Sequence, residues 1–294
     1  MAVNHLQIID QIIFEKVNDG EQKIASSLKG EVVFYYGEIR AGIIMPFRNF
    51  IEKLCERETR SQRLIVLLKT PGGSAEVVEK LVEIIRHHFE EVFFIVPDMA
   101  MSAGTIFCMS GNKIFMDYSS SLGPIDPQVP DREDKFLIPA LGYLDKVDEL
   151  VQKSKNGTIT PAEFALLEKQ DLAMLRFYEQ ARELSVALLK KWLVQYKFKD
   201  WTHHRTNNPD SPVTDAEKQE RARQIAEKLS DNSRWHAHGR MIGMNTLKEE
   251  LRLEIDDLGD DKLLRESVRQ YSDTLCDWLS QRNVPNFFYS SHVM

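Results

Sequence analysis

The sequence predicts an α/β fold built on a parallel sheet, and three features support that reading. Short apolar runs alternate with stretches of helical periodicity between residues 31 and 116. The runs are continuous rather than alternating, as in Arg63-Leu-Ile-Val-Leu-Leu-Lys69, the pattern of strands covered on both faces. Turn-forming and small residues, Thr70-Pro-Gly-Gly-Ser74 and Ala100-Met-Ser-Ala-Gly104, stand where runs hand over to helices.

Taken in order, Leu6, Ile8, Ile9, Ile12, Ile13 and Val17 recur at three- and four-residue spacing and predict an amphipathic helix within residues 1–30. A strand over Glu31–Tyr36 and a helix from about Ala41 to Glu58 follow. The strand over Arg63–Lys69 leads through the Pro-Gly-Gly turn into a helix over Glu76–Phe89. The next strand, Glu91–Val96, stops at Pro97, which cannot donate to a sheet. A helix over Ser102–Ser110 and a strand over Lys113–Met116 complete the βαβ series, with right-handed crossovers. Ser119–Lys135 is predicted as a loop broken by Pro124, Pro127 and Pro130. Ala140–Ser154 reads as a helix closed by Asn156-Gly157. Thr160-Pro-Ala-Glu163 is a capping box with proline at the first helical position, opening a long helix to about Tyr196. A loop over 207–213, a mostly helical remainder and a polar tail are expected to follow. The domain expectation is an N-terminal helix (1–30), a core (31–158) and a helical extension (159–294) that completes the domain.

Composition narrows the function classes. The chain has 294 residues, with 38 Lys and Arg against 45 Asp and Glu. A formal charge of -7 provides no basic field for nucleic acid. Cys55, Cys108 and Cys276 are odd in number and widely spaced, which argues against a disulfide framework and a cysteine-built metal site. No run approaches 18 apolar residues, so no membrane span is expected, and Asp10, Glu15 and Lys16 interrupt any signal-like stretch. The expectation is a soluble, cytoplasmic protein.

Two junctions can carry chemistry. The glycines of Thr70-Pro-Gly-Gly-Ser74 allow backbone amides to face open space, where they either receive a developing oxyanion or make a turn. The GxGxxG spacing of a dinucleotide site is absent. Ser102 stands at the next strand-to-helix junction, as a helix cap or as a nucleophile beside the amide of Ala103. Both junctions fall at the C-terminal ends of parallel strands, where open α/β sheets place their sites. His87-His88 and His203-His204 have charged or polar neighbours and read as surface pairs.

The order of these parts is more specific than any one of them: a Pro-Gly-Gly turn, a serine 29 residues after Gly73, and then Gly123-Pro-Ile-Asp-Pro127. Here the chain resembles the Clp-protease/crotonase superfamily, and within it the serine dehydrogenase proteinases, relatives of signal peptide peptidase A. The resemblance covers about residues 31–170 and extends loosely through Trp235-His-Ala-His-Gly-Arg-Met-Ile242. It implies a crotonase/Clp-protease-like spiral of parallel βαβ units with a helical C-terminal extension.

The resemblance also implies roles. Ser102 is the implied nucleophile of a serine endopeptidase, with Gly73 and Ala103 binding the oxyanion. Gly72 permits the tight turn, and Asp126 anchors the loop framing the cleft. A Clp-type histidine about 25 residues after the serine is missing, since Leu122–Pro130 contains none. Relatives of signal peptide peptidase A use a lysine, which serves as base if burial lowers its pKa. Lys135 lies among charged residues, whereas Lys146 has Tyr143, Val147 and Leu150 as helical neighbours and is the preferred base. His236 and His238 are alternative bases. No metal and no organic cofactor are implied. The partner is a soluble or unfolded polypeptide substrate. The apolar stripe from Phe164 to Trp192 predicts a homo-oligomer with this helix at the interface. The rival readings are a catalytically silent binding or assembly module of the same fold and, less well matched, an acyl-CoA enzyme, which would leave Ser102 unexplained.

Overall fold

The computed structural model describes residues 5–125, 128–130, 137–204, 211–237 and 239–293. Helix α1 (His5–Leu28) precedes β1 (Glu31–Gly37), α2 (Ile44–Cys55), β2 (Arg63–Lys69), α3 (Ala75–His88) and β3 (Glu91–Val96). Then come a short β4 (Met99–Ala100), α4 (Ala103–Met109), β5 (Lys113–Met116) and a short β6 (Ser121–Leu122). Strands β1, β2, β3 and β5 lie side by side in that order, all parallel.

The continuous apolar runs are explained by what covers them. Val33, Tyr35, Val66, Leu68, Phe94 and Val96 face one core, shared with Phe47 and Ile51 of α2 and Leu81 and Ile85 of α3. The alternate residues Val32, Phe34, Ile65, Leu67, Phe93 and Ile95 face a second core with Val17 and Ile24 of α1. Full burial of such a side chain is worth about 1.5–3 kcal/mol. A one-residue register slip would swap the two sets between cores shaped for other side chains.

Strands β1, β2 and β3 are each followed by a shorter extended step that pairs outside the main sheet. Ile39 after β1 bridges Gly73 after β2, Thr70 bridges Ala100 in β4, and β4 pairs in parallel with β6. The chain therefore climbs as a spiral of repeated strand–step–helix units. This is the Clp/crotonase-like α/β architecture.

The second half is more divided than its periodicity implies. The ribbon β7 (Gln128–Pro130) and β8 (Leu137–Pro139) pairs antiparallel, with β7 inside the segment expected to be a loop and β8 just beyond it. Helix α5 (Ala140–Lys155) follows. The Thr160 capping box forms, with Glu163 N donating to Thr160 Oγ1 at 3.2 Å and Thr160 N donating to Glu163 Oε2 at 2.9 Å. The single long helix predicted from Pro161 is instead two, α6 (Pro161–Glu168) and α7 (Leu172–Trp192). The break comes from Asp171, whose Oδ1 accepts from Ala173 N at 2.8 Å and Met174 N at 3.2 Å and caps a new helix. A π-turn, Leu193–Lys197, ends it.

Helices α8 (Asp215–Leu229) and α9 (Asn232–Trp235), β9 (Ile242–Gly243), α10 (Met244–Glu249), β10 (Asp256–Asp257) and α11 (Lys262–Gln281) follow. Strand β10 extends the main sheet beside β5. The tail expected to be polar contains a strand: β11 (Asn286–Tyr289) pairs antiparallel with β1, and Tyr289 is buried. Beyond it Ser291 N donates to the buried Glu21 carboxylate at 3.0 Å, tying the chain end to α1. No helix among the described residues is long and apolar enough to cross a membrane.

Candidate active site

Ser102 occupies the junction between β4 and α4 with φ 49° and ψ -113°. L-residues rarely adopt this backbone, and holding it costs about 1–3 kcal/mol. Neighbouring backbone bonds enforce it. Thr70 N donates to Met99 O at 3.0 Å, Met101 N donates to Thr70 O at 3.1 Å, and Gly104 N donates to Met101 O at 2.7 Å. An ordinary capping serine has extended backbone and accepts from an amide in the first helical turn. Ser102 has neither property: its side chain makes no capping hydrogen bond. It is buried, with 8% of its surface exposed.

The glycine turn is pressed against this serine. Gly72 and Gly73 have φ 108° and 143°, values that favour glycine. A Cβ on Gly72 would lie 2.9 Å from Ser102 Cβ and 2.8 Å from Met101 O. A Cβ on Gly73 would lie 2.0 Å from Ile39 O. Ile39 N donates to Gly72 O at 2.8 Å and Ser74 N donates to Ile39 O at 2.9 Å, flanking Gly73 in a parallel bridge. That pairing turns the Gly73 N–H away from Ile39. Ala103 opens α4, so its N–H has no intrahelical acceptor. Among the described residues neither amide donates to an acceptor.

Several residues that sequence reasoning missed hold this geometry. Thr70 Oγ1 accepts from Gly72 N at 3.0 Å, fixing the turn. Thr105 Oγ1 donates to Ala100 O at 3.0 Å and accepts from Gly123 N at 2.9 Å, joining β4 to the Gly123-Pro124 loop. A Cβ on Gly123 would sit 3.1 Å from Ser102 N, so this loop closes over the serine backbone. Lys69 Nζ and Asp98 Oδ2, 2.6 Å apart, connect the two strand ends that lead into the turn and the serine. Thr70 opens the first motif and Asp98 stands two residues before the second, which is the signal that could have found their roles.

Of the other predicted residues, Lys146 and His236 are not gathered here. Lys146 sits on an exposed face of α5, its side chain 60% exposed and its Nζ 2.8 Å from Glu149 Oε2. His236 is exposed, with φ 63° after α9. Asp126, Lys135 and His238 lie outside the described residues. The structure thus brings together Ser102, Gly72, Gly73 and Ala103, and shows Lys146 in a different ion pair.

Residues 55–200, which contain the turn and the serine, match the ClpP-like SDH-type serine proteinases. This segment carries the match to that family. The chain is also 33% identical over 86 residues to an uncharacterized protein of Methanocaldococcus jannaschii, covering 29% of this chain and 30% of the relative. A second uncharacterized protein of the same organism is 33% identical over 64 residues, 22% of each chain. The matched part is thus less than a third of either relative's length. Among solved structures the chain is similar to an alanine mutant of the 1510-N membrane-bound stomatin-specific protease, at 15% identity and TM-score 0.44, covering 76% of this chain and 77% of that one. A second mutant of that protease, in complex with a substrate peptide, is similar at 17% identity and TM-score 0.44, covering 76% and 73%.

Proposed function

We propose that the protein is a serine peptidase that cleaves soluble or unfolded polypeptides through Ser102. The observation that supports this most is the serine itself, held at φ 49°, free of capping duty and set against a double-glycine turn. In the proposed reaction Ser102 Oγ adds to the scissile carbonyl carbon while its proton passes to a base. The carbonyl electron pair moves onto oxygen, where the N–H groups of Gly73 and Ala103 donate to it. Collapse expels the amine, which takes the proton from the base and leaves an acyl-Ser102 ester. Water then attacks the ester by the same route and releases the acid. These steps draw on no metal and no organic cofactor.

Three side chains are candidates for the base, and they are separable by experiment. Lys146 acts only if its amine leaves Glu149 and loses its proton. His236 and His238 act only if their segment folds back over the junction. Replacing the true base is expected to lower kcat by about 10²–10⁴-fold and to remove the corresponding limb of the pH profile. Lys146→Met, His236→Gln and His238→Gln, assayed on an unfolded polypeptide with products identified by mass, decide among them. Full activity in all three, with none in Ser102→Ala, would contradict every base proposed here.

A second reading, a catalytically silent binding module, is favoured by the Lys146–Glu149 pair, which holds the preferred base in another ion pair. Folded protein that yields no products from any unfolded polypeptide would support that reading over peptidase activity.

We also infer a homo-oligomer assembled through α6 and α7. Phe164, Leu166, Leu172 and Phe177 are large apolar side chains exposed on this pair, with Leu172 79% exposed. Light scattering is expected to give a multiple of the single-chain mass. Leu172→Glu with Phe177→Glu is expected to reduce that mass without loss of helix content. Wild-type protein that runs as one chain would refute the inference.

A further inference from the structure

At the end of the sheet opposite Ser102, where β2, β3 and β5 begin, lies a cavity of about 2070 Å³. Several charges on its wall pair with one another. Arg63 and Glu91 are 2.7 Å apart, Lys113 and Asp256 3.1 Å, and His204 and Glu217 3.1 Å. Lys197 is different. It lines the cavity from the π-turn that ends α7, between the buried Trp192 and Phe198, and its ammonium forms no hydrogen bond or ion pair among the described residues.

Desolvation lowers the Lys197 ammonium to about 8, with Lys113 reinforcing the shift and Asp256 and Glu254 opposing it. A partly buried cation without a partner is costly, and an anion arriving in the cavity would remove that cost. Arg252, also on the wall, holds a left-handed φ of 47°. Such strain in a non-glycine residue persists where its surroundings impose it, often at ligand sites. Trp201, only partly buried, adds aromatic surface to the same cavity.

We propose that this cavity binds a small organic oxyanion, a carboxylate or a phosphate, whose charge pairs with Lys197 and whose body packs on Trp201. The site lies apart from Ser102 and does not depend on peptidase activity.

The test is thermal denaturation of the full chain at pH 7 with millimolar inorganic phosphate or benzoate, ionic strength being held constant with sodium chloride. At least one anion is expected to raise the Tm by several degrees. Phosphate alone would mark a phosphate site, and benzoate alone a carboxylate site with an aromatic contact. Lys197→Met is expected to abolish the shift, while Lys197→Arg keeps part of it. Without anion, Lys197→Met is expected to melt no lower than wild type, because an unpaired charge has been removed.

The pH dependence has a definite sign. The folded ammonium releases its proton near 8 and the unfolded one near 10.5, so wild type gains stability over Lys197→Met as pH rises through that window. A readout that needs no variant is the titration midpoint of Lys197 after reductive dimethylation with carbon-13 formaldehyde, which is expected to rise when the anion is present. No shift with either anion, an equal shift in Lys197→Met, or an unmoved midpoint would overturn the proposal.

Discussion

Ser102→Ala is expected to abolish peptide hydrolysis, lowering kcat/KM by at least about 10³-fold, and to leave stability nearly unchanged. The hydroxyl makes no capping hydrogen bond, so its loss strands no partner on α4. Ser102→Gly should be equally inactive but more stable, by about 1 kcal/mol. Glycine tolerates φ 49° and ψ -113° without the steric cost that serine bears, a gain partly offset by its greater unfolded-state freedom. Urea denaturation of the three proteins, read beside their activities, separates the two effects. An inactive Gly variant that is less stable than wild type would show that the serine backbone is not strained. An active Ala variant would remove Ser102 from the chemistry.

Gly73→Ala is expected to do the most combined damage. Its Cβ would meet Ile39 O at 2.0 Å and Ile39 C at 2.8 Å, both backbone atoms that cannot rotate away. The turn must separate from Ile39, breaking the bonds that orient the Gly73 amide. A loss of about 3 kcal/mol or more in stability is expected from strain of this kind. Displacement of one oxyanion donor adds a fall of about 10²–10³-fold in kcat in whatever fraction folds. Gly42→Ala is the control, since nothing lies within 4 Å of a Cβ there, and it should leave activity intact. A Gly73→Ala protein with normal kcat would show that this amide does not bind the oxyanion.

The parallel core was legible because both of its faces are buried. A strand such as Leu64–Leu68 must be apolar at every position when α2 and α3 cover one side and α1 the other. Ser102 and the two glycines were legible because sterically demanding junctions leave few residue choices. What escaped detection depends on tertiary context. Asn286–Tyr289 is a strand only because β1 offers it an open edge. Asp256–Asp257 has no strand-like composition and pairs simply by lying beside β5. The helical stripe after Pro161 runs on unbroken, so the stop at Asp171 is a matter of one side chain capping rather than of periodicity. The base was the least legible residue. A lysine's neighbours in sequence tell which helical face it shares, not whether that face meets Ser102, and Lys146 pairs with Glu149 one turn along its own helix.

The measurement that bears most directly on the account is the intact mass of the folded protein after exposure to a fluorophosphonate, with Ser102→Ala treated in parallel. A single adduct on wild type, absent from the variant and located at Ser102, is the predicted result, because an activated serine displaces fluoride from phosphorus. Folded wild-type protein that takes up no label, or that is labelled equally in the variant, would contradict a nucleophilic Ser102.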